Sequence, residues 1–445
     1  MNLTGNINPG AYDVDTGVHK ITDYRCVSAD MQHTSMAERL YLHLDMNCFY
    51  AQVEQLSYNL YGMPVYIGGW YKPDGTPRGI VATSSYEARC WGVKTGMSAF
   101  EAEQICPYLI GLQADYEKYR GMSFLVEEIL AEFAMDVEKY SMDEYFIDVN
   151  FMVDAPKEEI EQYCIQLKQR LYEELHLVCS VGVARSKTYA KLASDLQKPD
   201  GLSIIYDKED EQRHIHPLDL DEVWGIGNRR YAKLKKQGLK TIRHGIERGY
   251  QVFQQQFGQY FGKIMWEQMA GKDRAKVLTE APPPPELLNY MHTFSDWTKN
   301  PDRVAGEIMK GVHQLCYRMR GYGAKAHQYF CYLRVQSQKW SGPKFKFNTP
   351  GSTNLDDYVY SECIKESAPI LKRLLRNDFA IRGIGIGTRT LDKPNQKELF
   401  FEEDPKTLQY YLAQDAINNE YGKGTIQTAS MKYAVQGKTH FLGRS

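Results

Sequence analysis

What this sequence lacks narrows it first. No apolar run in its 445 residues approaches the ~20 consecutive residues that cross a bilayer. The opening stretch, MNLTGNINPGAYDVDTG, has no basic segment followed by an apolar one, so a secretory leader is not expected and a cytoplasmic protein is. The nine cysteines (26, 48, 90, 106, 164, 179, 316, 331 and 363) include no CxxC pair. An odd, unpatterned set predicts reduced thiols and argues against a disulfide framework or a zinc site. No glycine-rich phosphate loop follows any strand-like run, which disfavours a doubly wound sheet. There is no internal repeat, and a net charge of −2 does not by itself suggest nucleic acid.

Local charge says more. Between Val223 and Gly245 lie Arg229, Arg230, Lys233, Lys235, Lys236, Lys240 and Arg243, with no acid among them. Between Lys299 and Lys346 ten basic residues face only Asp302 and Glu307, whereas acids concentrate between Asp115 and Glu161. Solvated helix faces explain such runs one at a time; two basic stretches after an acidic one predict a division of labour between modules. The length predicts two to four domains.

Residues 1–38 are polar and turn-rich and read as an extension. RLYLHLDM (39–46) reads as a strand, and FYAQVEQLSYNL (49–60) as a helix with Phe49, Val53 and Leu56 on one side. GGWYKPDGTPRG (68–79) reads as a loop, IVATSS as a strand, and AFEAEQICP as a short helix stopped by Pro107. A long helix is expected over 116–133. DAPKEEIEQYCIQLKQRLYEEL reads as a helix with Asp154 as N-cap and Pro156 in the first turn, and an apolar stripe of Ile160, Cys164, Leu167 and Leu171. LVCSVGVA (177–184) is a buried strand, and Ser186 caps the next helix. This order predicts a mixed, ferredoxin-like sheet backed by helices. Four prolines in TEAPPPPELL (279–288) mark a stiff linker. Beyond it, HQYFCYLRV and IRGIGIGT read as strands, and 302–320 and 357–376 as helices.

Two acidic sites end apolar strands: Asp45 in LHLDMNCFYAQVE, and Asp143–Glu144 in EKYSMDEYFIDV. A lone Asp there usually caps a helix, and an Asp–Glu pair usually faces solvent. Brought together at one sheet edge, the three carboxylates would suit two Mg²⁺ ions, whose charge would offset their repulsion. A bend would be needed, since a straight strand points adjacent side chains to opposite faces.

DMNCFYAQVE, VATSSYEARCWGVKTGM, YSMDEYFID, SVGVARSKTYAKLASDLQKPDG and VWGIGNRRYAKL occur in the order found in Y-family translesion DNA polymerases, which residues 41–400 resemble. The resemblance implies an α/β multi-domain fold: extension (1–38), α+β palm of ferredoxin-like type (39–48 and 115–205), inserted fingers (49–114), helical thumb with a helix-hairpin-helix (206–275), linker (276–288), α/β little finger (289–392) and tail (393–445). It implies that Asp45, Asp143 and Glu144 are the catalytic, metal-binding carboxylates, with the Met46 backbone carbonyl, for two Mg²⁺ ions or Mn²⁺ in their place. Asn47 stands where the family often has a second acid. Tyr50 matches the steric gate against ribose. Cys48 and Phe49 fall near the nucleotide pocket, and Thr83, Tyr86, Arg89 and Lys198 on the incoming triphosphate. Gly225, Gly227, Arg229, Arg230 and Lys233 match a hairpin that binds the DNA backbone. QKELFF resembles a sliding-clamp docking peptide through Gln396, Leu399 and Phe400. AQDAINNEYGKGTIQTAS leans toward the catalytic subunit of bacterial polymerase V, and DMNCFYAQVE toward polymerase IV. The implied activity is error-prone, template-directed addition of dNTPs to a primer on DNA, without proofreading, in a bacterial, nucleoid-associated enzyme that works with a clamp and accessory subunits. The alternatives are a non-catalytic DNA- or clamp-binding scaffold and a nucleotidyl cyclase on a similar palm.

Overall fold

The computed structural model describes residues 39–71, 74–273, 275–279, 285–335, 342–392 and 403–431. Readings that concern residues 1–38, most of the proline cluster, and the peptide with Gln396, Leu399 and Phe400 lie outside them. The described residues fall into two compact units, divided between 279 and 285.

The first unit opens with β1 (Tyr41–Met46) and α1 (Phe49–Tyr58). An insertion follows: β2 (Val65–Tyr71), β3 (Pro77–Ser84), α2 (Tyr86–Cys90), α3 (Ala99–Ile105) and β4 (Ile110–Leu112). The chain then forms α4 (Tyr116–Phe133), β5 (Val137–Lys139), β6 (Glu144–Asp148), α5 (Lys157–Leu175), β7 (Cys179–Ala184), α6 (Lys187–Asp195) and β8 (Leu202–Ile204). A single turn, α7 (Lys208–Asp210), leads to four short helices, α8 (Asn228–Lys235), α9 (Ile242–Arg248), α10 (Tyr250–Phe257) and α11 (Gln259–Met269).

The main sheet has strand order β5-β6-β1-β7-β8 and is mixed, since only β7 and β8 run parallel. Strand alternation in β1 sends Leu42, Leu44 and Met46 into a core shared with α4 and α5. Tyr41 faces the opposite core, formed with α6 and the helices after residue 215. Gly182 of β7 explains how closely α6 seats there: a Cβ at that position would lie 2.1 Å from the Ala190 carbonyl oxygen. Ser186 caps α6 by accepting from Tyr189 N, as expected.

Two local expectations are corrected. Residues 68–79 are mostly not a loop: β2 and β3 pair through them, with register shifts at Gly68. Gly69 and Gly79 take positive φ, and a Cβ on Gly79 would lie 2.7 Å from Gly69 Cα, so the glycines serve a crossing of two strands. Asp154 does not cap α5; Pro156 occupies the N-cap itself, with no side-chain cap bond. It lacks an N–H, and its extended ψ sets the chain for the helix start.

The second unit comprises β9 (Leu288–Thr298), α12 (Pro301–Gly321), β10 (Ala326–Val335), β11 (Lys344–Thr353), α13 (Asp356–Arg376), β12 (Ile381–Thr388) and α14 (Pro405–Tyr421). Its antiparallel sheet, ordered β11-β10-β12-β9, packs on α12 and α13. Sequence periodicity found β10, β12 and both helices but not β9 or β11. β9 holds polar residues at several positions, and β11 alternates around lysines and a proline. Helix α14, in the stretch read as tail, docks through Asp415, whose two oxygens take Arg320 Nε at 2.6 Å and Nη2 at 3.0 Å. No disulfide joins the eight described cysteines, and among the described residues no helix is long and apolar enough to cross a membrane.

Candidate active site

Asp45, near the end of β1, is paired in register with Glu144 of β6 on one side and Ser180 of β7 on the other. Directly opposed residues share a face, with Cβ atoms about 5 Å apart, so the first and third carboxylates are brought together by strand pairing alone. Asp143 sits on the bend just before β6, where its carbonyl accepts from Met46 N at 2.8 Å. That bend releases Asp143 from the alternation of the strand. It lines the same cavity as Asp45.

The cavity measures about 290 Å³ and is bounded by Asp45, Met46, Cys48, Phe49, Tyr50, Thr83, Tyr86, Arg89, Asp143 and Lys198, together with Ala82 and Thr95. Residues from β1, α1, β3, α2, the β6 bend and the loop after α6 therefore converge. Cys48 makes the sharp strand-to-helix turn in the left-handed region (φ 40°), and burial pushes its thiol up to about 12. It shapes the wall and is no nucleophile at neutral pH. Tyr50 stacks on Tyr119 with centroids 4.4 Å apart and meets Tyr116 edge-on. Tyr119 is fixed in turn by its hydroxyl, which donates to the buried Glu54 at 2.7 Å. Ser85 caps α2; Arg89 donates from Nε to Ser84 O at 3.0 Å and lies over the Tyr86 ring. A guanidinium anchored in this way is preset for an anion.

The electrostatics are strained. Burial pushes the Asp45 carboxyl up to about 6 against the pull of Lys198, and Glu144 adds to the rise. Burial likewise raises Asp143, with Asp45 contributing, although the Ser141 hydroxyl donates to it. Lys198 Nζ lies 2.8 Å from Asp45 and 2.7 Å from Asp195, and these carboxylates hold its ammonium above the usual lysine range despite burial. Desolvation at Asp45 thus exceeds what one shared lysine returns. Glu144 does not line the cavity; it forms an ion pair with Lys191 of α6. With two carboxylates drawn to lysines, no three Asp, Glu, His or Cys side chains among the described residues stand close enough to hold a metal. The donors themselves are hard carboxylate oxygens, the kind that suit a hard divalent cation.

Asn47 is buried, and Ser180 Oγ donates to its Oδ1 at 2.9 Å while accepting from Gly201 N at 3.2 Å. It ties the strand-to-helix turn to the loop that carries Lys198, a structural task.

The impB/mucB/samB family pattern matches residues 44–195, which hold all three carboxylates and α6. The fold resembles that of a solved Y-family DNA polymerase chimera, Dbh-Dpo4(243-245)-Dbh, with TM-score 0.65 and 24% identity over 79% of this chain and 98% of that one. A protein of Oceanobacillus iheyensis named DNA polymerase IV is 36% identical over 413 residues, 89% of this chain and 93% of that protein. The chain belongs to the Y family of translesion DNA polymerases.

A second relative, DNA polymerase IV 1 of Halalkalibacterium halodurans, is 30% identical over 87% of the chain. In this Y-family polymerase the motif residues from separate elements meet at one cavity, apart from Glu144. The basic hairpin is more mixed. Gly225 takes φ 87° and Gly227 is the N-cap of α8, with Arg229 and Lys233 exposed. Arg230 instead turns back: it donates to Gly225 O and lies 5.9 Å from the Phe261 ring centroid, bracing the turn. Sequence reading passed over Lys191, Ser141 and Thr95. The i, i+4 lysines of KTYAKLASD, four residues before the Asp195–Lys198 pair, were the available signal for Lys191.

Proposed function

We propose that this polymerase extends the 3′-hydroxyl of a primer on template DNA with dNTPs, using the cavity beside β1 as its nucleotide site. The observation that carries the reading is the register pairing of Asp45 with Glu144, with Asp143 released by a bend onto the same cavity. Residues 39–48 and 115–205 act as palm, 49–114 as fingers, 206–275 as thumb and 289–392 as little finger. Asp45, Asp143, Glu144 and the Met46 carbonyl would hold two Mg²⁺ ions once Lys198 and Lys191 yield their carboxylates: two of the acids are buried and raised toward protonation, a state that a divalent cation reverses. Those ions, when bound, acidify the primer hydroxyl and neutralise the departing pyrophosphate.

The chain's own groups do the rest. Arg89, Tyr86 and Lys198 hold the triphosphate, with Thr83 beside them. Tyr50, immobilised by its stack on Tyr119, sets its edge where a ribose 2′-hydroxyl would clash. Arg229 and Lys233 hold the duplex backbone without reading sequence. The peptide 396–401 docks a sliding clamp. A non-catalytic scaffold would gain nothing from burying two mutually repelling carboxylates beside a preset guanidinium.

Primer extension with Mg²⁺ tests the assignment. Wild type extends, and Asp143→Ala with Glu144→Ala does not; unimpaired extension by that variant sinks the reading. Deleting 396–401 should remove clamp stimulation while basal extension persists.

A further inference from the structure

Lys191 pairs with Glu144 where neither side chain is free in water; they are 22% and 18% exposed. Its ammonium lies 5.7 Å from the centroid of the Tyr140 ring. Tyr140 meets Trp224 edge-on at 4.9 Å, and Trp224 stacks on Phe146 at 5.9 Å with 17° between the planes. Phe146 is two residues from Glu144 in β6, hence on the same face of the sheet. His43 packs against Phe146 at 4.6 Å and is held by Ser194 of α6 at 2.8 Å. Lys187, one helical turn before Lys191, lies over the Phe146 ring at 4.8 Å but pairs with Glu138, not with Glu144, and donates to the Lys276 carbonyl at 3.0 Å. Trp224 lies in the turn that leads into the basic helix α8. A ring column therefore runs from that turn to the lysine on Glu144.

We propose that Lys191 is a positioning residue: it holds Glu144 until a divalent cation takes the carboxylate, and Tyr140 and Trp224 hold Lys191 for that task. The proposal rests on the reading of Asp45, Asp143 and Glu144 as metal ligands. An ammonium and a divalent cation repel across one carboxylate, so ion binding must displace Lys191 or be weakened by it. The Tyr140 ring behind the ammonium favours its staying, and Trp224 of the turn before α8 packs edge-on against that ring and so holds it in place. The turn thereby sets how readily the site accepts its ion.

The test is Mn²⁺ binding to the full chain without nucleotide or DNA, followed by the spectrum of free Mn²⁺. Lys191→Met should bind Mn²⁺ roughly fivefold more tightly than wild type, the worth of a partly screened ion pair. Lys191→Arg should restore wild-type affinity. Trp224→Leu should tighten binding by about twofold, since it only loosens the lysine. Thermal melts establish that each variant is folded, and Lys191→Gln replaces Lys191→Met if the latter is not. Unchanged or weaker binding in a folded variant lacking Lys191 overturns the proposal. Binding that also survives Asp143→Asn with Glu144→Gln overturns the metal-ligand reading itself, a distinct outcome.

Discussion

Buried charge is handled in opposite ways at one site in each unit. In the second, Arg320 is almost fully enclosed, yet every direction of its guanidinium is answered: Asp415 by two bonds, Asp356 at 2.8 Å and the Asn354 carbonyl at 2.7 Å. Asp356 also takes His313 Nδ1 at 2.6 Å. In the first unit Asp45 and Asp143 are enclosed with one lysine and one serine hydroxyl between them, and burial raises both. A satisfied network of this kind holds helices α12, α13 and α14 together and does no chemistry. A partly satisfied pair of carboxylates stores free energy that a bound cation would release, the kind of perturbed site where function is sought.

That contrast can be broken in several places. The largest effect is expected from Asp143→Ala, which should lower the primer-extension rate by ~10⁴-fold while the melting temperature stays level or rises. Arg320→Met should do the reverse: it strands Asp356 and Asp415, costs about 3–5 kcal/mol in denaturant titration, and spares the catalytic rate per folded molecule. Tyr50→Ala should lower discrimination against ribonucleotides by ~10²-fold in competition assays, through loss of the clash and without harm to the carboxylates.

Asp45→Asn sharpens the comparison through pH. Because the folded carboxyl sits near 6 and the unfolded one near 4, its ionisation opposes folding. Wild-type stability is thus unaffected below about pH 4 and erodes as pH rises toward 6. The variant should match wild type at pH 4 and exceed it by about 3 kcal/mol above pH 6 in metal-free denaturation. The smallest effect is at the exposed hairpin: Lys233→Ala should lower the salt slope of DNA binding by about one unit.

Much of this was legible in the chain. Helices α4, α12 and α13 were readable because amphipathic periods of 18 or more residues outweigh local noise. The hairpin at 68–79 was not, because glycines that mark loops also allow strands to cross closely. At the site, the motif residues could be named in advance, but Lys191 could not, since a lysine on an amphipathic helix looks solvent-facing in sequence.

By itself, then, the sequence determined which motif side chains gather at the cavity, Glu144 apart, and roughly which strands and helices bear them, since composition and period are local properties. Only the tertiary structure decided that Glu144 rests on Lys191, that Arg230 braces its own turn, and that α14 belongs to the second unit. Those outcomes depend on which charges meet across elements far apart in the chain, and on how much water each meeting excludes, neither of which is set by neighbours in sequence.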